Sequence, residues 1–205
     1  MPKSISSWLR MVAVIVAVIP LMGCQAQKSA AVSGLAVEKK AVAQCAPLVP
    51  PALANASFRV KAGLPAAFTD SEGKVWLADQ GFDGGDTVDR DASTTIAGTK
   101  DATLFLSEHY GMSAFLCKLP NGKYTAKLYF AETFDGITGP GQRVFSFNVQ
   151  GHEFKDFDVW AKAGGPNRAY IEAVPVEVTN GIFRIDFTTN IENPQINAIE
   201  IISQP

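Results

Sequence analysis

The chain has few histidines and cysteines, and its charges form no basic stripe. Among 205 residues there are two histidines and three cysteines, and 18 basic against 20 acidic residues leave a net charge of −2. His109 and His152 lie far apart without any metal-ligand spacing, and neither a Gly-x-Ser-x-Gly motif nor a phosphate loop occurs. We therefore expect no metal, no cofactor and no catalysis. The balanced charge argues against nucleic acid as a partner.

The apolar run near the N-terminus is too short to span a bilayer comfortably. Residues 11–22 are almost all apolar, whereas a spanning helix needs about 20 such residues. Lys3 and Arg10 precede the run without an acidic residue, and the sequence LMGC, ending at Cys24, follows it. A basic segment, a short apolar segment and small residues at a cleavage point are typical of a secretory signal. We predict a signal peptide over residues 1–23, with an uncleaved N-terminal anchor as the alternative.

The LMGC sequence also resembles the lipobox of bacterial lipoproteins, whose cysteine is acylated and becomes the first residue of the mature chain. The resemblance implies that Cys24 carries lipid, and acyl chains contribute about 0.8 kcal/mol per buried methylene. Gln25 follows Cys24, and in the Gram-negative sorting pattern that this resembles a residue other than aspartate favours the outer membrane, on its periplasmic or surface face. Residues 24–56 are rich in Ala, Val, Gln, Ser and Pro and are predicted to be the acylated cysteine and a flexible tether.

Two further cysteines, Cys45 and Cys117, remain after Cys24. In an exported protein two thiols suggest one disulfide. Two buried free thiols are the alternative that the sequence leaves open.

Beyond the tether, short runs of alternating apolar and polar residues predict β-strands. Asn-Gly and Gln-Gly pairs between the runs indicate hairpin turns, and no amphipathic helix of ten or more residues is visible. The predicted strands cover residues 74–78, 124–131, 143–149, 182–188 and 196–202. Many short strands with regular turns favour a sandwich or barrel. We predict one all-β domain over residues 57–205.

Several motifs of this segment, taken in order, resemble the malectin domain. They lie at residues 58–63, 70–82, 106–111, 119–132, 141–152, 155–158 and 192–201. The resemblance implies a jelly-roll β-sandwich of the galactose-binding-like kind that binds carbohydrate, an oligo- or polysaccharide, through loops at one end without catalysis. Bacterial malectin domains are treated as carbohydrate-binding modules, often beside glycosidase domains. Any glycosidase or surface-protein partner of this chain is therefore expected to be a separate chain.

The resemblance also implies a set of ligand residues, which are Tyr110, Phe134, Asp135, Glu192 and Asn193. Aromatic faces cover the apolar C–H patches of a sugar ring, and carboxylates or amides bind its hydroxyls. Phe134 keeps a stacking face without a hydroxyl, Asp135 stands where the animal members have a ring, and Glu192 carries its carboxylate on a longer arm than their aspartate. Simple packing of the two aromatic residues, a solvated Glu192 and a turn held by Asn193 are the alternatives.

Two other acidic groupings allow different functions. Asp83, Asp86, Asp89 and Asp91 alternate along a loop as calcium ligands do, although a solvated loop explains them equally. Glu132, three residues before Asp135, sits at the same strand end, and nothing there indicates the separate environments that a glycosidase acid and base need. The alternative function is a scaffold lipoprotein that uses the same sandwich to hold a protein partner.

Overall fold

The structure, a computed structural model, describes residues 57–205. Fourteen β-strands, one 3-10 helix and one five-residue α-helix form in these residues. The strands are β1 (Ser57–Lys61), β2 (Phe68–Thr69), β3 (Val75–Trp76), β4 (Phe82–Asp83), β5 (Asp86–Asp89), β6 (Ser107–Tyr110), β7 (Ala114–Lys118), β8 (Gly122–Phe130), β9 (Val144–Val149), β10 (His152–Phe157), β11 (Tyr170–Val178), β12 (Ile182–Ile191), β13 (Gln195–Ile196) and β14 (Ala198–Ser203). The 3-10 helix covers Ala102–Leu104 and α1 covers Val159–Ala163.

Two antiparallel sheets make up most of the domain. One has the strand order β1-β14-β8-β11 and the other the order β10-β9-β12-β7-β4. Their strands alternate between buried and solvent-facing side chains, as β9 does with Phe145, Phe147 and Val149 turned inward. Because this alternation gives each sheet one apolar face, the two sheets pack face to face. The predicted all-β sandwich is confirmed.

A cluster of aromatic rings fills the space between the sheets. The ring of Phe157 on β10 lies 5.0 Å, centroid to centroid, from both Phe130 on β8 and Phe147 on β9. All three side chains are at most 2% exposed. Tilted and edge-on ring pairs at this spacing are favourable beyond the area that they bury, so this cluster fixes the spacing of the strands from which the end loops leave.

A smaller cluster covers part of the outer face of the four-stranded sheet. Tyr129 points away from the sandwich core, and its ring meets the edge of Trp76 at a centroid distance of 5.3 Å. Phe105 and Ile96 pack into the same cluster. The end of β8 is therefore buried on both faces, which anchors the loop that follows it.

A third sheet, with the order β13-β6-β5, lies at one end of the sandwich. Its central strand β6 places Tyr110 opposite Asp86 on β5 and Gln195 on β13. Since side chains alternate along a strand, Glu108 and Tyr110 share one face of β6, and Ser107 and His109 share the other.

The strands predicted at 124–131, 143–149 and 182–188 correspond to β8, β9 and β12, and the other two predicted strands differ from the structure. The strand predicted at 74–78 shortens to β3, and the strand predicted at 196–202 divides into β13 and β14 at Asn197, whose side chain accepts a hydrogen bond from Ala131 N and donates to Phe105 O. The short strands β5 and β6 and the strand β10 were not predicted. Strand β11 was also not predicted, because Pro175 interrupts its alternating pattern. It lies at the edge of its sheet, where a proline does no harm.

Four sequence predictions fall partly or wholly outside the described residues. The signal peptide, the lipidation of Cys24 and the tether lie wholly before residue 57, and the disulfide involves Cys45, which lies there too, so all four stay predictions. Cys117 lies in β7 and is 2% exposed. Within residues 57–205, none of the helices has the length and apolar character needed to cross a membrane.

Candidate functional site

A cleft of about 280 Å³ opens on one face of the three-stranded sheet. Strands β5 and β6 form its floor, and loops after β8, before β9 and after β12 form its walls. It is lined by Val88, Arg90, Glu108, Tyr110, Phe134, Arg143, Glu192 and Asn193. Loops from several parts of the chain thus converge at one end of the sandwich, the arrangement expected for a ligand site held by a rigid scaffold.

Phe134 is the most exposed aromatic side chain of the cleft. It follows the buried end of β8, and 43% of it is exposed. Its backbone N–H donates to Glu132 Oε1 over 3.1 Å, which fixes the loop just after the strand. Gly136 packs flat against its ring, since a Cβ there would lie 2.5 Å from Phe134 Cε1. The ring is therefore both accessible and held in place.

Glu192 and Asn193 form the opposite wall, in the loop between β12 and β13. Glu192 has a φ of 64°, in the left-handed region that few non-glycine residues occupy. Its Oε1 accepts a hydrogen bond of 2.9 Å from Asn193 N. Residues held in this backbone region often cluster at ligand sites, where the surrounding structure maintains them.

Two arginine–glutamate ion pairs lie beneath the cleft surface. Arg90 Nη2 donates to Glu108 Oε1 over 2.8 Å, and Arg143 Nε donates to Glu132 Oε2 over 2.8 Å. Burial raises the pKa of Glu132, although the positive charge of Arg143 opposes the shift. Both carboxylates are almost completely buried, and Arg90, Glu108 and Arg143 all line the cleft, whereas Glu132 lies behind Arg143.

The far face of β6 is held by His109. Its Nδ1 lies 2.9 Å from Asp79 Oδ2, and its Nε2 lies 2.9 Å from the carbonyl oxygen of Gly84. Because both neighbours are acceptors, the ring makes both bonds only when doubly protonated. Burial lowers the pKa of His109, but the hydrogen bonds to Asp79 and Gly84 and the charges of Asp79 and Asp86 outweigh it and raise the pKa above 6.5.

Lys61 supports β6 from the same side and is completely buried. Its Nζ donates to Ser107 Oγ and Ala62 O over 2.6 Å, and to Ser107 O and Asn197 O over 2.8 Å. Burial lowers its pKa to about 7 against the opposing charges of three carboxylates. In its protonated form Lys61 is a cation surrounded by four oxygen atoms, and it holds β6 against β1 and β14.

A model of the malectin domain matches residues 56–203, nearly all of the described chain. The chain belongs to the malectin domain family. A probable leucine-rich repeat receptor-like serine/threonine-protein kinase of Arabidopsis thaliana is 40% identical over 75 residues, which cover 34% of this chain and 7% of that protein. The chain thus spans only a small part of that curated relative.

Solved structures share the fold of this malectin domain. Bacteroides uniformis beta-glucuronidase superposes with a TM-score of 0.65 and 21% identity over 73% of this chain and 18% of that one. A chain in the crystal structure of plant peptide RALF23 in complex with FER and LLG2 superposes with a TM-score of 0.62 and 17% identity. The match covers 73% of this chain and 48% of that one. At these identities the likeness shows the fold alone.

Four of the five predicted ligand residues of the malectin domain line the cleft: Tyr110, Phe134, Glu192 and Asn193. Asp135 does not. Although it follows Phe134 directly, it is exposed and lies outside the lining. The turn after β8 carries the two neighbouring side chains in different directions.

Sequence analysis missed Val88, Arg90, Glu108 and Arg143. One signal was available for Glu108, which stands two residues before Tyr110 and so shares its strand face. Val88 and Arg90 have the same spacing, but the acidic residues around them are typical of a loop. Nothing local marks Arg143, whose partner Glu132 lies on the other side of a loop.

The acidic segment is organised differently from a calcium loop. Asp86 and Asp89 are the ends of β5, and Asp91 Oδ1 accepts hydrogen bonds from Ser93 N and Oγ. Among residues 57–205 no group of three or more metal-binding side chains comes together. The calcium alternative therefore gains no support from this segment.

A second groove of about 240 Å³ lies on the outer face of the four-stranded sheet. Its walls include Asp70, Trp76, Tyr129 and Ile171. Trp76 and Tyr129 are 1% and 8% exposed, so little aromatic surface is available for stacking there. Asp70 Oδ2 already accepts a hydrogen bond from Trp76 Nε1.

Proposed function

We propose that this malectin domain binds an oligo- or polysaccharide in the cleft and does not act on it chemically. The observation that carries the proposal is the convergence of Tyr110 and Phe134 with Glu192 and Asn193 in one open cleft. Aromatic rings cover the apolar face of a sugar, and a carboxylate and an amide bind its hydroxyls. The cleft has room for a short stretch of a glycan rather than for a deep enclosed substrate.

The carboxylates near the cleft support binding rather than hydrolysis. Glu132 is 1% exposed, and its two oxygens are bonded to Arg143 Nε and Phe134 N. Asp135 lies outside the cleft lining. A glycosidase needs two carboxyl groups that flank the same glycosidic bond, and these two do not face a common space. Of the two glutamates that line the cleft, Glu108 is 2% exposed and its oxygens accept from Arg90 Nη2 and Thr133 Oγ1, so Glu192 is the accessible carboxylate of the lining.

A glycan array probed with the full chain and two variants tests the proposal. Phe134→Ala removes an aromatic ring from the cleft, whereas Ile171→Ala removes a side chain of similar exposure, 46% against 43%, from the second groove. We expect Phe134→Ala to abolish the array signal and Ile171→Ala to keep it. The opposite pattern would place the glycan in the second groove.

The alternative is a protein or peptide partner held by the same sandwich. An open cleft with an accessible aromatic ring favours a sugar, whereas a filled loop end with an apolar patch elsewhere would favour a protein. If the array shows no glycan while the folded chain captures a peptide that Phe134→Ala releases, the alternative replaces our proposal.

We further propose that the chain is an exported lipoprotein held at the outer membrane by acyl chains on Cys24. The support is the sequence LMGC after an apolar run of signal-peptide length. Intact-mass analysis of the chain from a membrane fraction should show cleavage before Cys24 and added acyl mass, and Cys24→Ala should release the protein from that fraction. An unmodified Cys24 in the mature chain contradicts this part of the proposal.

A further inference from the structure

Two arginines flank the ring that we expect to contact the sugar. Arg90 follows β5 and Arg143 precedes β9, so they come from different parts of the chain. Their Cζ atoms lie 5.7 and 5.9 Å from the centroid of the Phe134 ring. Both distances are within the range of cation–π attraction.

Arg90 is fixed by a triangle of polar atoms. Its Nε donates to Thr133 Oγ1 over 3.1 Å, and its Nη2 donates to Glu108 Oε1 over 2.8 Å. Thr133 Oγ1 in turn donates to Glu108 Oε2 over 3.2 Å. A guanidinium held at two nitrogens has little freedom to leave Phe134.

Arg143 joins the two walls of the cleft. Its Nε bonds Glu132 in the loop after β8, and its Nη1 donates to the carbonyl oxygen of Asn193 over 2.7 Å. The Arg143 side chain is 5% exposed. Arg143 therefore links the loop that carries Phe134 directly to the Glu192–Asn193 wall.

Each guanidinium keeps donors that these bonds do not use. A guanidinium has five N–H groups and no acceptor, and the bonds above occupy two nitrogens of each arginine. Glu108 and Glu132 balance the charge of the two arginines, but the oxygens of both carboxylates already accept hydrogen bonds from Arg90, Thr133, Phe134 and Arg143. The side of the cleft beside Phe134 thus offers N–H donors. A hydroxyl oxygen can accept from these donors, whereas an ammonium group has donors alone and no acceptor to offer them.

We propose that Arg90 and Arg143 are specificity-determining residues that fix Phe134 as a stacking surface and select hydroxyl groups over amino groups beside it. The inference rests on the proposed carbohydrate binding. Its two parts are positioning of Phe134 in the free protein and discrimination between neutral and amino sugars in the complex.

Positioning is tested without any ligand by a double-mutant cycle on the full chain. Arg143→Lys keeps the charge but cannot span Glu132 and Asn193 as a planar fork does. We expect its loss of thermal stability to be smaller in a Phe134→Ala background than in the wild type. Arg184→Lys is the matched control, since Arg184 is half-exposed and pairs with Asp186 on β12, and its effect should add to that of Phe134→Ala. Additive effects of Arg143→Lys and Phe134→Ala would overturn the positioning role.

Discrimination is tested with two hexasaccharides of the same linkage, β-1,4-linked glucose and β-1,4-linked glucosamine. We expect the wild type to bind the glucose hexamer at least about tenfold more tightly, and Arg90→Lys and Arg143→Lys to reduce that ratio. Equal binding of the two hexamers, or an unchanged ratio in both variants, would overturn the selection role. If the wild type binds neither hexamer and no glycan on the array, the result counts against the proposed function. The double-mutant cycle on Arg143 and Phe134 needs no ligand, so it would still decide the positioning role.

Discussion

A Cβ atom at Gly136 would lie 2.5 Å from Cε1 and 2.6 Å from Cζ of the Phe134 ring. Non-bonded carbon atoms do not pack that closely, so the ring has its place only because residue 136 has no side chain. Gly136 thereby sets the position of an exposed ring. A substitution at Gly136 moves the ring without replacing any charged group.

Gly136→Ala should therefore weaken glycan binding by displacing Phe134. At Gly139, in the same loop, an added Cβ would have no atom within 4 Å, so Gly139→Ala is the matched control. We expect Gly136→Ala to lose about 1–2 kcal/mol of binding free energy, roughly 5- to 30-fold in Kd, and Gly139→Ala to lose nothing. Isothermal titration calorimetry with the array glycan measures both, and equal affinities would mean that Phe134 does not contact the sugar.

The sequence predicted those features of the fold that depend on residues close together in the chain, and it missed features that depend on distant residues. Period-two alternation is local, so β8, β9 and β12 were predictable from a few residues each. The edge strand β11 was missed because a proline such as Pro175 argues against a central strand, and the sequence does not show that this strand lies at the edge of its sheet.

The site shows the same division. The family resemblance predicted Tyr110 and Phe134, because Tyr110 lies within one matching sequence motif and Phe134 lies just after another. The ion pairs Arg90–Glu108 and Arg143–Glu132 join residues 18 and 11 positions apart, and no periodicity marks such pairs. Asp135 was predicted because it stands where the animal members have a ring, and a matching position does not determine the direction of a side chain in a turn.

Replacement of Lys61 should destabilise the fold more than replacement of an exposed lysine. Lys61→Met removes the hydrogen bonds that Lys61 donates to Ser107 Oγ and three carbonyl oxygens, and a hydrogen bond from a charged group contributes about 1.5–3 kcal/mol. The carbonyl oxygens each keep one other donor, Ser107 Oγ, Asn197 Nδ2 or Ala62 N, so the loss is that of the bonds from the lysine. Lys127→Met is the control, because Lys127 is 38% exposed and 3.9 Å from Glu200, where an ion pair is worth about 0–1 kcal/mol. Urea unfolding of both variants at one pH provides the comparison. A loss for Lys61→Met no larger than that for Lys127→Met would contradict this account of β6.

His109 should make the stability of the domain depend on pH. Its folded pKa is raised above 6.5, so its protonated form stabilises the fold fully below pH 6.5, and this contribution is lost as pH rises through the folded pKa. The difference in unfolding free energy between wild type and His109→Gln should therefore shrink as pH rises above 6.5. Taking the difference removes the titration of Lys61, which both proteins share.

The second histidine of the chain supplies the control for that titration. His152 lies exposed on β10, so His152→Gln controls for the replacement of a histidine by glutamine at the surface. A difference in unfolding free energy between wild type and His109→Gln that does not change with pH would show that the bonds to Asp79 and Gly84 do not make stability depend on the protonation of His109.

The floor and the wall of the cleft should contribute unequally to binding. Tyr110→Ala removes a ring from the floor, and at an affinity on the order of 0.1 mM, about −5.5 kcal/mol, a loss of roughly 1–2 kcal/mol puts binding beyond detection. Glu192→Gln keeps an oxygen acceptor on a side chain of the same length, and Asn193 N can still donate to it. We therefore expect Glu192→Gln to weaken binding measurably but less than Tyr110→Ala does. Calorimetry with the array glycan, together with thermal unfolding to verify that both variants fold, ranks them. If the Glu192→Gln variant loses binding while Tyr110→Ala retains it, the carboxylate and its charge, rather than ring stacking, hold the sugar.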